Sequence, residues 1–315
     1  MIGPFFVLGV ALLVALWLVW RRRRPDRWYT INVNGLERRY LLRSGDPNAR
    51  QRPALLCFHG GGGRFAHKML SQNSGVAEAA QREGYIAVFP EAKDGWIDSR
   101  PERGGGPRDL DFVDALLGSL VRRNLIDPSR VFALGISNGG MFVYRLAYER
   151  PQRFAGFATA LANMPVAGLS APPGPPVAIA MIFGREDPVA PWGGGTLLHG
   201  ARIGVGGEVV SVEATLRFWL MRNGNDEMPQ LRRLVSADHT VDVEDYSAAS
   251  GGAPVRSVTV SDWGHRWPRW GDETSAPEDS FNAADLVMEF FSGIPLSDRN
   301  APTTPTTAAE RNAHA

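Results

Sequence analysis

Short, continuous runs of apolar residues recur along the chain and are separated by segments with helical periodicity. Such an apolar run is typical of a strand that is buried on both faces of a sheet. The runs occupy residues 54–58, 85–89, 131–134, 177–183 and 257–260, and helical spacing marks residues 109–123, 139–149, 212–222 and 283–291. Strands that alternate with helices favour right-handed crossovers and a mostly parallel sheet covered by helices on both faces. The pattern therefore predicts an α/β fold.

A hairpin is predicted at the start of this pattern, and two long loops interrupt it. Residues 28–33 and 38–42 are rich in strand-forming residues and flank an Asn34-Gly35 pair, which is a strong signal for a tight turn. Residues 94–108 and 162–176 are rich in glycine, proline or other small residues, which predicts irregular loops. Both loops follow predicted strands, where α/β proteins place their functional sites.

The first twenty residues are strongly apolar. Residues 2–20 contain no charged side chain and as a helix would span about 28 Å, close to the ~30 Å hydrocarbon core of a bilayer. Trp17 and Trp20 end this run, where aromatic rings suit the membrane interface, and four arginines follow at residues 21–24. A cleavable signal peptide has its positive charge first, so an uncleaved single-pass anchor in the lipid bilayer is the favoured interpretation. A signal peptide and a buried helix are the alternatives.

These observations divide the chain into four parts. We expect a transmembrane anchor at residues 1–20, a basic juxtamembrane segment at 21–27, one α/β domain at 28–296 and a disordered tail at 297–315. The arginines that follow the apolar run favour a cytoplasmic position for the domain.

Composition and charge exclude several classes of protein. Of 315 residues, 34 are Lys or Arg and 33 are Asp or Glu, and because five of the arginines lie within residues 21–27, the remainder is slightly acidic. Nucleic acid is therefore not an expected partner, since its binding depends on neutralised phosphates. The single cysteine, Cys57, excludes an intrachain disulfide and a multi-cysteine metal site. No metal and no cofactor is predicted, and the sequence does not indicate an oligomeric state.

Residues 135–139 read Gly-Ile-Ser-Asn-Gly and match the pattern G-x-S-x-G. The pattern alone is weak, because a tight turn with a capping serine gives the same letters. Here an apolar strand precedes it and a helical pattern follows, which is the context of a strained turn that exposes a nucleophilic serine. We therefore predict that Ser137 is a nucleophile.

A histidine and four glycines, residues 59–63, follow the apolar strand at 54–58. A glycine run lets backbone N–H groups approach a ligand, and acyl transfer needs two such donors for the developing oxyanion. We expect these donors to be the N–H of Gly61, with Gly62 as an alternative, and the N–H of Asn138. A phosphate site is disfavoured, because no Lys-Ser or Lys-Thr pair follows. His59 is a second candidate for a catalytic base but is more simply a support for this loop.

An acid and a base follow later strands. Asp187 comes one short turn after the strand at 177–183, where it is placed to orient a histidine, with Glu186 and Asp238 as weaker candidates. His265 lies in the segment Gly-His-Arg-Trp-Pro that follows the strand at 257–260. The chain order serine, aspartate, histidine is that of the α/β-hydrolases.

The sequence resembles the α/β-hydrolases grouped with polyhydroxybutyrate depolymerases, feruloyl esterases and acetylxylan esterases. The matching segments cover most of residues 53–292 and are LLCFHGGGG, DLDFVDALL, IDPSRVFALGISNGGMFVYRLAYERPQRFAG, FGREDPVAPWGGG, GHRWP and FNAADLVMEFF. The resemblance implies an α/β-hydrolase fold with Ser137 as nucleophile, Asp187 as acid and His265 as base. It also implies an oxyanion hole at Gly61 and Asn138, and it matches residues 192–194 to the segment that lines the acyl site.

These observations lead us to expect a serine carboxylic-ester hydrolase that acts on a small or oligomeric ester. Aromatic residues in the predicted loops, Trp96, Trp192 and Trp267, are candidates for contact with an acyl or aryl group. A serine peptidase or amidase on the same fold is the alternative, as is a membrane-tethered binding protein without activity. The secreted habit of the family favours an extracytoplasmic domain, against the charge bias, and the predicted anchor makes a large insoluble polymer a poor candidate substrate.

Overall fold

The computed structural model describes residues 26–46, 48–61, 66–104, 106, 108–199, 202–225, 228–236, 239–248, 250–271 and 279–295. The predicted anchor at residues 1–20 and the predicted tail at 297–315 lie outside the described residues. Among the residues that are described, no helix is both long enough and apolar enough to cross a bilayer.

The order of strands and helices follows the alternation expected from the sequence. The strands are β1 (Asp26–Val33), β2 (Leu36–Arg43), β3 (Arg52–Phe58), β4 (Ile86–Pro90), β5 (Ile126–Ile136), β6 (Gly156–Ala160), β7 (Ile179–Gly184), β8 (Gly195–His199), β9 (Arg202–Val209), β10 (Gln230–Ser236), β11 (His239–Tyr246), β12 (Val255–Val260), β13 (Arg269–Trp270) and β14 (Phe281–Asn282). The main helices are α1 (Val76–Arg82), α2 (Arg108–Arg122), α3 (Asn138–Glu149), α4 (Val212–Asn223) and α5 (Ala283–Ser292).

Ten of these strands form one sheet in the order β1-β2-β4-β3-β5-β6-β7-β12-β11-β10. The six central strands, from β4 to β12, run parallel to one another, and an antiparallel pair extends the sheet at each side. The carboxyl ends of β3, β5, β7 and β12 therefore open at the same edge. The mostly parallel sheet predicted from the sequence is confirmed.

The hairpin at the start of the sheet has the predicted turn. Asn34 and Gly35 both adopt positive φ angles, of 51° and 82°. This geometry matches the twist of the flanking strands and favours Asn-Gly at the turn. In register, Trp28 faces Leu41 and Val33 faces Leu36.

Two hydrophobic layers cover the faces of the sheet, because the side chains of a strand alternate between them. Along β3, Leu56 and Phe58 belong to one layer with Leu110 of α2 and Phe142 of α3. The other layer holds Leu55 and Cys57 from β3, together with Val76 of α1 and Phe291 of α5. The arrangement explains why β3 reads as an unbroken apolar run.

Several strands were not predicted from the sequence. The short strand β6 contains mainly small residues, and β8 and β9 form a separate antiparallel hairpin. Strands β10 and β11 are antiparallel and carry many charges. In β11, Val241 and Val243 are buried and alternate with polar residues, so the period-two pattern of a strand was present in the sequence.

Candidate active site

Ser137 lies in the turn between β5 and α3, in a strained backbone conformation. Its φ and ψ angles are 54° and −123°, a combination that residues with a side chain rarely adopt. The N–H of Ser137 donates to the carbonyl of Ala160 at 2.9 Å, and its own carbonyl accepts from the N–H of Met141 at 2.9 Å. The residue predicted to be the nucleophile is thus held in a conformation that the neighbouring strand and helix stabilise.

Close packing explains the glycines that surround this serine. A Cβ atom on Gly139 would lie 2.1 Å from the carbonyl oxygen of Phe58, and one on Gly140 would lie 2.6 Å from Cβ of Ala162. A Cβ on Gly135 would lie 2.2 Å from the carbonyl oxygen of Gly139. Larger residues at these positions would push α3 away from β3 and β6 and would displace the turn.

His265 brings two of the predicted site residues together. Its Nε2 lies 2.9 Å from Oγ of Ser137, and its Nδ1 lies 2.7 Å from Oδ2 of Asp187. The side chain is 21% exposed, so it is accessible from solvent while both ring nitrogens are engaged. Ser137 and Asp187 precede His265 by 128 and 78 residues along the chain, and only the fold joins the three.

The carboxylate of Asp187 is buried and is fixed by backbone groups. Its Oδ1 accepts hydrogen bonds from the N–H groups of Val189 and Ala190, at 2.8 and 2.9 Å, while Oδ2 faces His265. The side chain is 2% exposed. These contacts orient the carboxylate and satisfy its charge in a site that water hardly reaches. Glu186, by contrast, is an exposed residue, and Asp238 lies outside the described residues.

His59 is buried, and its two ring nitrogens bind the backbone. Nε2 accepts a hydrogen bond from the N–H of Ala92 at 3.0 Å, so Nδ1 carries the proton and donates to the carbonyl of Gly60 at 2.7 Å. Burial lowers the pKa of His59, which favours this neutral form. Both nitrogens of His59 are engaged in these contacts, so the ring supports the glycine loop.

The glycine loop passes directly beside the nucleophile. A Cβ on Gly60 would lie 3.3 Å from Cβ of Ser137, so only a residue without a side chain fits there easily. Gly61 follows and is exposed, whereas Gly62 lies outside the described residues. Asn138 is the first residue of α3, and the first N–H groups of a helix have no partner inside it. The loop and the helix therefore bring backbone donors to the vicinity of Ser137.

The side chain of Asn138 is enclosed by the loop that follows β4. Its Oδ1 accepts from the N–H of Trp96 at 2.7 Å, and its Nδ2 donates to the carbonyl of Trp96 at 3.1 Å and to Oδ2 of Asp98 at 2.8 Å. Asp98 also binds Arg100. Neither Asp98 nor Arg100 was singled out from the sequence; the signal was a pair of opposite charges two residues apart inside a loop that a functional site was expected to use.

The three predicted tryptophans differ in exposure, and two of them require a correction. Trp96 is 0% exposed, its ring stacks on Phe142, and its Nε1 donates to the carbonyl of His59, so it offers no surface to a substrate. Trp267 is 7% exposed and donates from Nε1 to Asn282. Trp192 alone among the three is half-buried, and the guanidinium of Arg185 lies 4.2 Å from its ring centroid.

Comparison with known proteins finds esterases among the relatives of this chain. No family model matches the chain. A protein of Nocardia uniformis subsp. tsuyamanensis named "Putative esterase NocK" is 30% identical over 283 residues, which cover 83% of this chain and 81% of that protein. A protein of Aspergillus niger named "Probable feruloyl esterase C" is 28% identical over 181 residues, which cover 56% of this chain and 63% of that protein.

Solved structures show the same fold at low sequence identity. An acetyl xylan esterase from Aspergillus awamori superimposes with a TM-score of 0.56 and 14% identity, covering 84% of this chain and 99% of that one. A prolyl endopeptidase has a TM-score of 0.53 and 12% identity, covering 87% of this chain and 39% of that one. The second likeness extends to the fold alone.

The expectation of an α/β-hydrolase with esterase relatives is thereby confirmed. The first relative matches over most of both chains, and the acetyl xylan esterase shares the fold. The chain belongs to the esterase family of the α/β-hydrolases.

Proposed function

We propose that this carboxylic-ester hydrolase works through Ser137, His265 and Asp187 and forms a covalent acyl-enzyme. The observation that carries the proposal is the unbroken line of two hydrogen bonds, 2.9 and 2.7 Å long, from Oγ of Ser137 through the imidazole to Asp187. In such a line the neutral imidazole accepts the serine proton at Nε2 and keeps its own proton at Nδ1, facing the carboxylate.

In the first half of the reaction, Oγ of Ser137 attacks the carbonyl carbon of the ester while Nε2 of His265 takes the hydroxyl proton. The carbonyl π electrons move onto oxygen, and the N–H groups of Asn138 and Gly61 donate hydrogen bonds to that oxyanion. Each donor contributes on the order of 3 kcal/mol to the transition state. When the intermediate collapses, the bond to the alcohol oxygen breaks, and the imidazolium returns its proton to the leaving alcohol.

In the second half, water replaces the alcohol. His265 takes a proton from water as the oxygen attacks the acyl carbon, and the proton returns to Oγ of Ser137 when the acid leaves. Asp187 stays ionised throughout and stabilises the imidazolium in both halves, because its Oδ1 is already held by two N–H groups and Oδ2 faces Nδ1.

We further propose that Trp192 contacts the acyl or aryl group of a small or oligomeric ester. Its indole keeps partial exposure, and it belongs to the segment that follows the acidic residue, between Asp187 and β8. The guanidinium of Arg185 lies over its ring, 4.2 Å from the centroid, and this contact helps to hold the indole in place. The name of the Aspergillus relative favours aryl-containing acyl groups as the first ones to test.

The experiment is a turnover assay with p-nitrophenyl esters, feruloyl esters and peptide amides, made on the wild type and on Ser137→Ala. We expect ester turnover that the substitution lowers by several orders of magnitude, with the melting temperature unchanged. Turnover of amides but not of esters would replace ester hydrolysis by peptidase or amidase activity. A folded wild type that turns over nothing and does not react with a fluorophosphonate would favour a binding protein.

The membrane anchor stays a prediction from the sequence, because residues 1–20 lie outside the described residues. Fractionation of cells that express the full chain tests it: we predict that the protein sediments with membranes and is released by detergent but not by high salt. A phosphatase fused after the last residue reports the side of the membrane, since it is active only outside the cytoplasm, and the charge bias predicts an inactive fusion.

A further inference from the structure

The side chain of Asn138 makes three hydrogen bonds to the loop that follows β4. The amide binds both backbone groups of one residue, accepting from the N–H of Trp96 and donating to its carbonyl, and it donates once more to Asp98. Only one orientation of the amide satisfies all three partners. Because the residue is 4% exposed, water does not compete for these bonds, and the side chain has a single favourable position.

A buried ion pair with Arg100 holds Asp98 in place. Oδ1 of Asp98 accepts from the backbone N–H and from Nε of Arg100, at 2.8 and 3.0 Å, and Oδ2 accepts from Nη2 at 2.7 Å. The side chains are 0% and 4% exposed. Nη1 of Arg100 in turn donates to the carbonyl of Gly206 in β9, so the pair ties the loop after β4 to the hairpin of β8 and β9.

The loop does not depend on this pair for its attachment to the fold. The N–H of Ile97 donates to Oδ2 of Asp109 at 2.7 Å, and the carbonyl of Ile97 accepts from Nη1 of Arg145 at 2.9 Å. Trp96 is anchored in the core through its ring and through His59. A buried ion pair is in general weak support for stability, because the loss of solvation offsets much of the attraction. Beyond its own loop the pair contacts the carbonyl of Gly206 and the side chain of Asn138, and the second of these contacts lies next to Ser137.

We propose that Asp98 and Arg100 are positioning residues for the oxyanion hole. The ion pair fixes Oδ2 of Asp98, which holds Nδ2 of Asn138, and the backbone N–H of that same residue is the donor that we assign to the oxyanion. The inference rests on the proposed catalytic role of Ser137. A displacement of that N–H by about 1 Å is enough to lower the rate by about a hundredfold, because the hydrogen bond matters only in the transition state.

Two substitutions separate this role from a role in folding. Asp98→Asn keeps the shape of the side chain but removes the charge and places a donor near Nδ2 of Asn138. Asn138→Ala keeps its own backbone N–H and leaves the Asp98–Arg100 pair intact. It removes the hydrogen bond from the Asn138 side chain to Asp98. The matched control is Asp245→Asn. It removes the charge from the ion pair that Asp245 of β11 forms with Arg256 of β12, through two contacts of 2.6 and 3.0 Å. This pair lies outside the Asp98–Asn138 network.

We expect Asp98→Asn and Asn138→Ala each to lower kcat by about 10–100-fold with KM within about threefold of the wild type. Their affinity for a trifluoromethyl ketone, which forms a tetrahedral oxyanion on Ser137, is expected to fall by the same factor as kcat/KM. The double variant is expected to lose little more than the worse single variant, because the two residues act through one contact. Asp245→Asn is expected to keep kcat within about threefold.

Hydrogen exchange gives a readout that does not need turnover. The amides of residues 137–140 are expected to exchange faster in Asp98→Asn than in the wild type and in Asp245→Asn. Faster exchange in a protein whose Ser137 does not turn over esters would support the positioning role and overturn only the proposed function. Folded variants whose kcat, ketone affinity and amide exchange all stay at wild-type values would overturn the positioning role while leaving the proposed function standing.

Discussion

Two loops at the same edge of the sheet each carry a histidine near Ser137, and the two histidines have opposite surroundings. His59, after β3, is 2% exposed and binds only backbone groups, through Ala92 and Gly60. His265, after β12, has a 21% exposed side chain and binds two side chains, those of Asp187 and Ser137. Both loops read in the sequence as a histidine beside glycine.

We infer that the partners of the ring nitrogens, rather than the residue type, decide which of the two histidines acts as the base in the proposed mechanism. A base must accept a proton at one nitrogen and release it again, so the positive form must be tolerated. For His59, burial lowers the pKa, and protonation of Nε2 would break the bond from Ala92. For His265, the buried carboxylate of Asp187 lies 2.7 Å from Nδ1, where its charge would stabilise the imidazolium.

Substitution of His265 is expected to have the largest effect on turnover. We predict that His265→Ala lowers kcat for p-nitrophenyl esters by about four to six orders of magnitude, because the serine proton then has no acceptor. The melting temperature is expected to stay close to that of the wild type, since the side chain is partly exposed. Steady-state kinetics measure the loss of kcat, and circular dichroism melts measure the melting temperature. A folded variant with more than a tenth of wild-type turnover would contradict the role of His265 as the base.

Asp187 sharpens the comparison, because His265 faces a carboxylate whereas the two ring nitrogens of His59 bind the backbone of Gly60 and Ala92. We predict that Asp187→Asn lowers kcat by about two to four orders of magnitude, since the neutral amide no longer stabilises the imidazolium or selects its tautomer. Glu186→Gln is the matched control on the neighbouring exposed residue and is expected to change kcat less than threefold. Equal losses in the two variants, measured as kcat/KM, would remove the special role of Asp187.

Substitution of His59 is expected to affect stability more than chemistry. His59→Ala leaves the N–H of Ala92 and the carbonyl of Gly60 without partners in a buried site, which costs about 1–3 kcal/mol of unfolding free energy. Urea denaturation measures this loss, and His59→Gln, which offers an amide oxygen to Ala92, is the variant that should recover part of it. Turnover is expected to fall far less than in His265→Ala, and a loss of equal size would make His59 a second catalytic group.

The same histidine predicts a pH dependence of stability. Burial lowers the pKa of His59 in the folded protein, so the unfolded chain binds more protons below its ordinary pKa of about 6.5. The melting temperature should therefore fall as the pH is lowered from about 7 to about 5, and the slope should be smaller in His59→Gln. His67, whose pKa burial also lowers, contributes with the same sign and leaves a residual slope in the variant. Identical slopes in both proteins would show that His59 is not held neutral.

The smallest expected effect on activity is a change in substrate selectivity at Trp192, and Trp96 is the buried tryptophan to compare with it. Trp192→Ala should change the ratio of kcat/KM between feruloyl and acetyl esters by about tenfold with little loss of stability, because the ring is half-buried. Trp96→Ala should instead cost about 3–5 kcal/mol, because the ring has no exposed surface. Unchanged selectivity together with a lowered melting temperature in Trp192→Ala would show that this ring is structural as well.

The sequence predicted the parts of the fold and site that local pattern determines. The apolar runs placed β3, β4, β5, β7 and β12, and the order of Ser137, Asp187 and His265 could be read from motifs that follow these strands. Burial and pairing across the sheet have no local signal of this strength. Trp96 and Trp192 stand in loops of similar composition, yet only tertiary packing decides that one is covered by Phe142 and the other is not. The contact between Asp98 and Asn138 joins residues 40 positions apart and could not be foreseen from either segment.

The central claim is that Ser137 is the nucleophile that His265 activates, and trapping the covalent adduct tests it most directly. The full chain is treated with a fluorophosphonate, digested, and the modified peptide is identified by mass spectrometry. We predict one stoichiometric adduct on Ser137 in the wild type, no adduct in Ser137→Ala, and labelling at least a hundredfold slower in His265→Ala, because the hydroxyl then keeps its proton. An adduct on another residue, or labelling of Ser137 at the same rate without His265, would contradict the account.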